Sequence, residues 1–196
     1  MSRRRAAFLD RDGVLNALVP DPASGRCESP LHPRDVRLLP GAAASARRLA
    51  DAGFALVGVS NQPAAAKGTI SLEELFAVQE RVLELLSAEG VLFDDFRLCS
   101  HHPEGVVAEL RGPCDCRKPA PGMLLETAAK LNLDLPSSWM IGDTDTDVDA
   151  GRAAGCRTAL IEHPGSAHKR GGSGTADLKA ADLAHAVTAI VSARWY

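Results

Sequence analysis

The chain has 196 residues, which suits one domain of the usual ~100–200 residues with a sizeable core. Its 45% hydrophobic and 24% charged residues are ordinary for a globular protein, and a net charge of −3 argues against a sequence-independent nucleic-acid binder. Arg3-Arg4-Arg5 is too short a basic run to change that, and no apolar stretch reaches the ~20 residues of a membrane span. After those arginines the chain runs into Asp10-Arg11-Asp12 and not into a signal peptide's apolar region, so a cytoplasmic location is the default expectation.

The predicted elements alternate between strands and helices. An apolar run over 6–9 ends in acids and Gly13, as a strand does at a turn. Residues 41–52 carry helix-forming Ala, Arg and Leu, stop at Gly53 and lead into a strand over 54–59. Ser71 before Glu73 and Glu74 reads as an N-cap with acids suited to a helix start. Leu75, Val78, Val82, Leu85 and Leu86 then recur at helical spacing until Gly90. A strand is predicted over 93–98, a helix over 121–131, and strands at 140–141 and 157–161. A short helix stops at Gly155, and 181–191 forms a last helix or strand–helix junction. Residues 165–174, with Gly171-Gly172-Ser173-Gly174, read as a flexible surface loop. This alternation implies right-handed crossovers and a three-layer, Rossmann-like α/β fold on a parallel sheet.

Two of the strands end in acids. Asp10 and Asp12 alternate along an extended backbone at the carboxyl end of the first strand, where parallel α/β sheets gather reactive groups. Carboxylates so close repel one another unless a cation or a shared proton offsets the charge, and Mg²⁺ suits one or two carboxylates with waters and phosphate oxygens. An Asp-rich turn is the plain alternative. Far along the chain, Trp139-Met140-Ile141-Gly142-Asp143 repeats the apolar-run-to-acid pattern, followed by Asp145 and Asp147. Between them, residues 56–59 end at Ser60-Asn61, and Cys116-Arg117-Lys118-Pro119 adds a cation before a predicted helix. A nucleophile, an acid, neutral donors, a cation and a metal are what phosphoryl transfer requires.

With these residues the chain resembles the haloacid dehalogenase superfamily of phosphatases. The four motifs are Asp10-Arg11-Asp12-Gly13, Ser60-Asn61, Lys118, and Gly142-Asp143 with Asp147, in the family's order and across nearly the whole chain. Within that superfamily, Phe8-Leu9-Asp10-Arg11-Asp12-Gly13, the segment 99–116 and Arg117-Lys118-Pro119-Ala120-Pro121-Gly122-Met123-Leu124 are similar to the heptose bisphosphate and histidinol phosphatases. The resemblance implies that Asp10 is the nucleophile and carries an aspartyl-phosphate, and that Asp12 is the general acid and base. It implies Mg²⁺ on the Asp10 carboxylate, the Asp12 backbone carbonyl and Asp143, with Asp147 supporting a metal-bound water or Lys118. Ser60 and Lys118 would bind phosphoryl oxygens, with Asn61 and Arg117 as substrate contacts. Large mobile caps in that superfamily follow the first or second motif. Here the gaps of 44 positions from Asn16 to Ser60 and 58 from Ser60 to Lys118 leave no room for one. The expectation is a single domain over 1–196, acting as a monomer, with an open pocket edged by loops 18–39, 62–69 and 99–116.

Cys99-Ser100-His101-His102 and Cys114-Asp115-Cys116 place three thiols and two imidazoles within residues 99–116. A structural Zn²⁺ takes four N/S ligands in a closed tetrahedron, whereas free thiols or disulfides are the alternatives. Five cysteines and no secretion signal argue against disulfides. The similar phosphatases carry such a loop, with Cys99, His101, Cys114 and Cys116 at the matching positions and His102 as a neighbour. Zn²⁺ there would order the loop before Arg117-Lys118. Cys27 and Cys156 read as ordinary thiols, and His32, His163, His168 and His185 as surface or loop residues without a nameable partner.

The stretch after Asn61-Gln62 runs Pro63-Ala64-Ala65-Ala66-Lys67-Gly68 where similar heptose phosphatases have Ser-Gly-Ile-Ala-Arg-Gly. Lys is a point charge where Arg grips phosphate bidentately, so the exchange bears on specificity. The 7-phosphate of a heptose 1,7-bisphosphate is the expected target, with Arg117, Lys67 and Arg26 as cations for the distal phosphate. Histidinol phosphate, or another small sugar phosphate, is the runner-up. A phosphatase of nucleic-acid ends and a silent, zinc-stabilised binding module are further alternatives. Asp10, Asp12 and Asp143 are all retained, which argues against the silent module.

Overall fold

The computed structural model describes residues 3–22, 24–172 and 175–192. In chain order the strands and helices are β1 (Ala6–Leu9), β2 (Val19–Asp21), β3 (Arg26–Glu28), α1 (Ala42–Asp51), β4 (Ala55–Asn61), α2 (Leu72–Ala88) and β5 (Asp95–Cys99). They continue with α3 (Gly122–Leu131), β6 (Trp139–Gly142), α4 (Asp145–Ala153), β7 (Arg157–Ile161), β8 (Leu178–Ala180) and α5 (Leu183–Ser192). Six strands form one sheet in the order β5-β4-β1-β6-β7-β8, and every pairing in it is parallel.

β1 is central and wholly buried, and its alternate residues feed two cores. Ala7 and Leu9 face the layer built by α1, α2 and α5, with Leu49, Val82 and Val187. Ala6 and Phe8 face the layer of α3 and α4, with Leu124 and Ala150. A strand covered on both faces carries a continuous apolar run, which is why 6–9 was legible as a strand. The expected three-layer α/β fold is therefore the observed one.

Chain direction positions the site. From β1 the chain moves outward through β4 to β5, then returns across β1 to β6 and proceeds outward to β7 and β8. Strand order thus reverses around β1, and the carboxyl ends of β1, β4 and β6 open into one crevice. The helix start at Ser71 is a reciprocal capping box. Glu74 N–H donates to Ser71 Oγ at 3.1 Å, and Ser71 N–H donates to the Glu74 carboxylate at 2.7 Å.

Three local expectations are corrected. Loop 18–39 contains an antiparallel β2–β3 hairpin, and β8 joins the sheet edge where no strand was foreseen. Both use three-residue strands, too short for alternation to register. Residues 164–169 form a 3-10 turn with Ser166 fully buried, so this part of the predicted surface loop is packed. Ser173 and Gly174 of that loop lie outside the described residues. Among the described residues no helix is long and apolar enough to cross a membrane.

Candidate active site

Asp10 directly follows β1, and its N–H donates to Ile141 O at 2.9 Å, tying the end of β1 to β6. Ser60 stands near the end of β4 and Asp143 just after β6. Lys118 arrives from the loop before α3 and is 3% exposed. Its Nζ donates to Asp10 Oδ1 at 2.9 Å and to Val59 O at 2.6 Å, and lies 2.5 Å from Asp147 Oδ1. Burial works against the Lys118 charge, but Asp10 and Asp147 outweigh it and hold the amine protonated.

Asp10, Asp143 and Asp147 bring carboxylate oxygens within 4.8 Å of one another, all buried. Burial, opposed by Lys118 and reinforced by Asp147, pushes the Asp10 carboxyl up to about 6. Burial and the charges of Asp10 and Asp147 likewise hold Asp143 well above the ordinary carboxyl range. One lysine among three acids leaves a surplus of negative charge that a divalent cation would offset, and an all-oxygen donor set suits Mg²⁺. Asp147 is otherwise engaged, because its Oδ2 accepts from Thr144 N–H at 3.0 Å and Thr144 Oγ1 at 2.7 Å. Asp10 and Asp143 therefore offer the free carboxylate oxygens. The turn after Asp12 leaves room for them because Gly13 has φ 86° and a Cβ there would overlap the Asp143 carboxylate.

Asp12 points into a separate cage. Arg11, 1% exposed, donates to it from Nε at 3.2 Å and from a terminal nitrogen at 2.9 Å. Asn16 Nδ2 donates at 3.0 Å and Gln62 Nε2 at 2.7 Å, and Gln62 also donates to Ser60 Oγ at 3.0 Å. Burial alone would raise the Asp12 carboxyl, but the Arg11 charge and bonds from Arg11, Gln62 and Ser29 outweigh it and hold it below its usual range.

Above these groups lies a cleft of about 880 Å³, lined among others by Asp10, Asp12, Ser60, Lys67, Arg117, Lys118, Asp143 and Lys169. The β2–β3 hairpin forms its outer wall, and Glu28 of that hairpin is held by Lys169 at 2.6 Å.

The predicted zinc ligands converge as well. Cys99 Sγ stands 3.6 Å from Cys114 Sγ and 3.0 Å from Cys116 Sγ, and Cys116 Sγ stands 3.3 Å from Cys114 Sγ. His101 Nδ1 completes the group, 3.5 Å from Cys116 Sγ. All five cysteines of the chain are free. Sulfur spacings of this order match ligands at ~2.3 Å from a common ion. Burial and the neighbouring thiols hold Cys116 far above its ordinary range, so three thiols at this spacing call for a cation before they ionise together. The loop bears on the cleft, since an Arg117 guanidinium nitrogen donates to His101 O at 3.2 Å.

A family model described as HAD-hydrolase-like matches residues 115–191. The D-glycero-beta-D-manno-heptose-1,7-bisphosphate 7-phosphatase of Rhodopseudomonas palustris is 40% identical over 153 residues, covering 78% of this chain and 81% of that protein. The chain belongs to this heptose-bisphosphatase family of HAD-like hydrolases. The Yersinia pestis member is 36% identical over 188 residues, covering 94% of this chain and 95% of its own. Among solved structures, a D,D-heptose 1,7-bisphosphate phosphatase from B. bronchiseptica, complexed with magnesium and phosphate, superposes with a TM-score of 0.77 at 27% identity. That match covers 95% of this chain and 98% of the other. A putative HAD-like phosphatase from Mesorhizobium loti gives a TM-score of 0.79 at 31% identity, over 97% of this chain and 88% of its own.

In this heptose-bisphosphatase family member, the structure brings together Asp10, Asp12, Ser60, Lys67, Arg117, Lys118, Asp143 and Asp147 around one cleft. Asn61 lines it too, but both ends of its amide are committed to the Lys118 peptide, at 2.9 and 3.0 Å. It clamps Lys118, and its second amide N–H leaves a donor for the substrate contact expected of it. Arg26 is exposed on the hairpin and does not line the cleft, whereas Lys169 does. His163, His168 and His185, read as partnerless, have partners. His163 Nδ1 accepts from Gly165 N–H at 3.1 Å, His168 lies 3.4 Å from Glu28, and His185 lies 2.7 Å from Asp182. Sequence reasoning missed Arg11, Asn16 and Gln62, the cage of Asp12. Their signal was adjacency to the motifs, since Arg11 and Asn16 flank Asp12 and Gln62 follows Ser60-Asn61.

Proposed function

We propose that this chain is a phosphomonoester hydrolase that removes the 7-phosphate of a heptose 1,7-bisphosphate through an aspartyl-phosphate on Asp10. The observation that carries this reading is the buried Lys118–Asp10 pair beside Asp143, with a second acid, Asp12, held apart in its own cage. An Asp10 oxygen attacks phosphorus, the bond from phosphorus to the sugar oxygen breaks, and Asp12 gives that oxygen a proton. Water then attacks the phosphoryl group, Asp12 takes the water's proton, and Asp10 is released with inorganic phosphate. The bound substrate's negative charge favours the protonated Asp12 that the first step needs. Ser60 and the Lys118 ammonium bind the phosphoryl oxygens. Mg²⁺ fits Asp10, Asp143 and the Asp12 carbonyl, where it would neutralise charge on the phosphoryl oxygens. Zn²⁺ fits Cys99, His101, Cys114 and Cys116 and has a structural role, ordering the loop that carries Arg117. Arg117, Lys67 and Lys169 edge the cleft and supply cations for the distal phosphate.

One observation favours a second reading. Asp21 and Asp35 also line the cleft, and a substrate with an ammonium group, such as histidinol phosphate, needs an anionic wall. We read residues 1–196 as a single domain that works as a monomer. Five free cysteines suit the reducing cytoplasm.

The deciding experiment measures phosphate release with Mg²⁺ from both heptose 1,7-bisphosphate anomers, histidinol phosphate, simple sugar phosphates and a 3′-phosphorylated oligonucleotide. A large preference for a heptose bisphosphate is expected. A preference for histidinol phosphate transfers the assignment to the second reading, and slow, equal hydrolysis of everything overturns both substrates.

A further inference from the structure

Helix α2 packs on the sheet through Leu75, Val78, Val82 and Leu86, all buried. One polar residue, Gln79, shares that face at 7% exposure. Its Nε2 has no hydrogen-bond partner among the described residues. A buried amide N–H without a partner loses its water and gains nothing in return, and a methionine would fill the same space without that penalty.

The other end of the amide explains the choice. Gln79 Oε1 accepts from an Arg11 guanidinium nitrogen at 3.2 Å. Guanidinium is donor-only, so flipping the amide would set donor against donor, and Arg11 dictates which end faces it. Arg11 turns its Nε and other terminal nitrogen to the Asp12 carboxylate. The remaining amide donors of the cage, Asn16 and Gln62, come from the turn after β1 and the end of β4. Gln79 adds α2 to this cage by holding the far prong of the guanidinium fork, so that its inner edge stays square to Asp12.

Resting on the phosphatase reading, we propose that Gln79 is a positioning residue for the reaction. Acting through Arg11, it keeps the Asp12 carboxylate where it delivers a proton to the leaving sugar oxygen and later removes one from water.

Leaving-group chemistry separates this role from a structural one. A sugar alkoxide needs a proton as it departs, whereas p-nitrophenolate departs without one. The value of kcat/KM reports the steps up to that departure. The test compares wild type, Gln79→Met and Gln79→Glu on p-nitrophenyl phosphate and on whichever sugar phosphate the panel above shows to be turned over fastest. Gln79→Met keeps the volume and removes the acceptor. It is expected to lower kcat/KM about tenfold on the sugar phosphate and less than about twofold on p-nitrophenyl phosphate, whatever the change in Tm from the Arg11 N–H it leaves unpaired. Gln79→Glu keeps an oxygen against Arg11 and is expected to hold the ratio of the two substrates within about twofold of wild type. Equal losses on both substrates, no loss on either, or a ratio in Gln79→Glu as low as in Gln79→Met would each overturn the proposal. A wild type inactive on every phosphomonoester overturns the phosphatase reading itself and this inference with it.

Discussion

Asp10 is held at a cost to the folded state. Its carboxyl is pushed up to about 6, chiefly by burial, against an ordinary value of 3.8 in the unfolded chain. The folded state therefore binds this proton more tightly, and ionisation between those values weakens it. In protein stripped of divalent cations, the urea midpoint of wild type relative to that of Asp10→Asn is expected to fall as pH rises from about 4 to about 6. The same variant should lose turnover, since an amide cannot form the aspartyl-phosphate; phosphate release and far-UV circular dichroism measured together check both. Substantial residual activity would remove Asp10 from the nucleophile's place. At this scale the convergence of the acids and Lys118 was legible because the acids end apolar strand runs and Lys118 sits in a short motif before a helix. The residues that serve them were less so. Gln79 is one polar letter in an apolar helical stripe, and Asn61 carries nothing in its type to say that its amide faces the Lys118 peptide.

Each segment around the cleft is tied to its neighbour by a few contacts. Loop 99–116 reaches the pocket through Arg117, and it packs against the start of α3 at Gly122, where a Cβ would overlap the Asp115 carbonyl. If the loop holds the proposed Zn²⁺, removing that ion should be felt in substrate binding as well as in stability. Cys114→Ser, or stripping the wild type with a strong chelator, is expected to lower Tm by several degrees and to raise KM more than it lowers kcat. Metal analysis should find about one zinc per chain in wild type and less in the variant. A variant with unchanged Tm and KM would return these cysteines to ordinary thiols. Opposite that loop, the turn after β7 ties the hairpin to the segment after β6: Lys169 holds Glu28, and Arg170 donates to Asp143 O at 3.1 Å. Its Gly- and Ser-rich composition reads as slack, and only the tertiary partners of Ser166 and Arg170 show otherwise. The long helices α1, α2 and α3 were legible from their periodicity and stop signals, while β2, β3 and β8 were not, because a three-residue strand is defined by its partner.

For the molecule as a whole, stability rests on two cores back to back on one sheet, with β1 shared between them. Leu9 has no exposure and belongs to the larger core, so Leu9→Ala should cost about 3 kcal/mol in urea unfolding without touching the cleft. A loss below about 1 kcal/mol would mean that the site collapses to fill the gap. The fold class was legible because strand–helix alternation is a property of the whole chain, and local misreadings of short strands do not disturb it.

The crevice where strand order reverses also governs when activity can first arise as the chain folds. Asp10, Ser60 and Asp143 come from β1, β4 and β6, and β1 pairs with both of the others although 133 positions separate Asp10 from Asp143. Loop closure over such separations is slow, and local helix formation contributes nothing to it. Neither half of the chain holds both Asp10 and Asp143. In a refolding experiment, helical signal should return before phosphatase activity. The return of activity should follow the docking of β6 against β1, so that catalysis itself times the closing of the sheet.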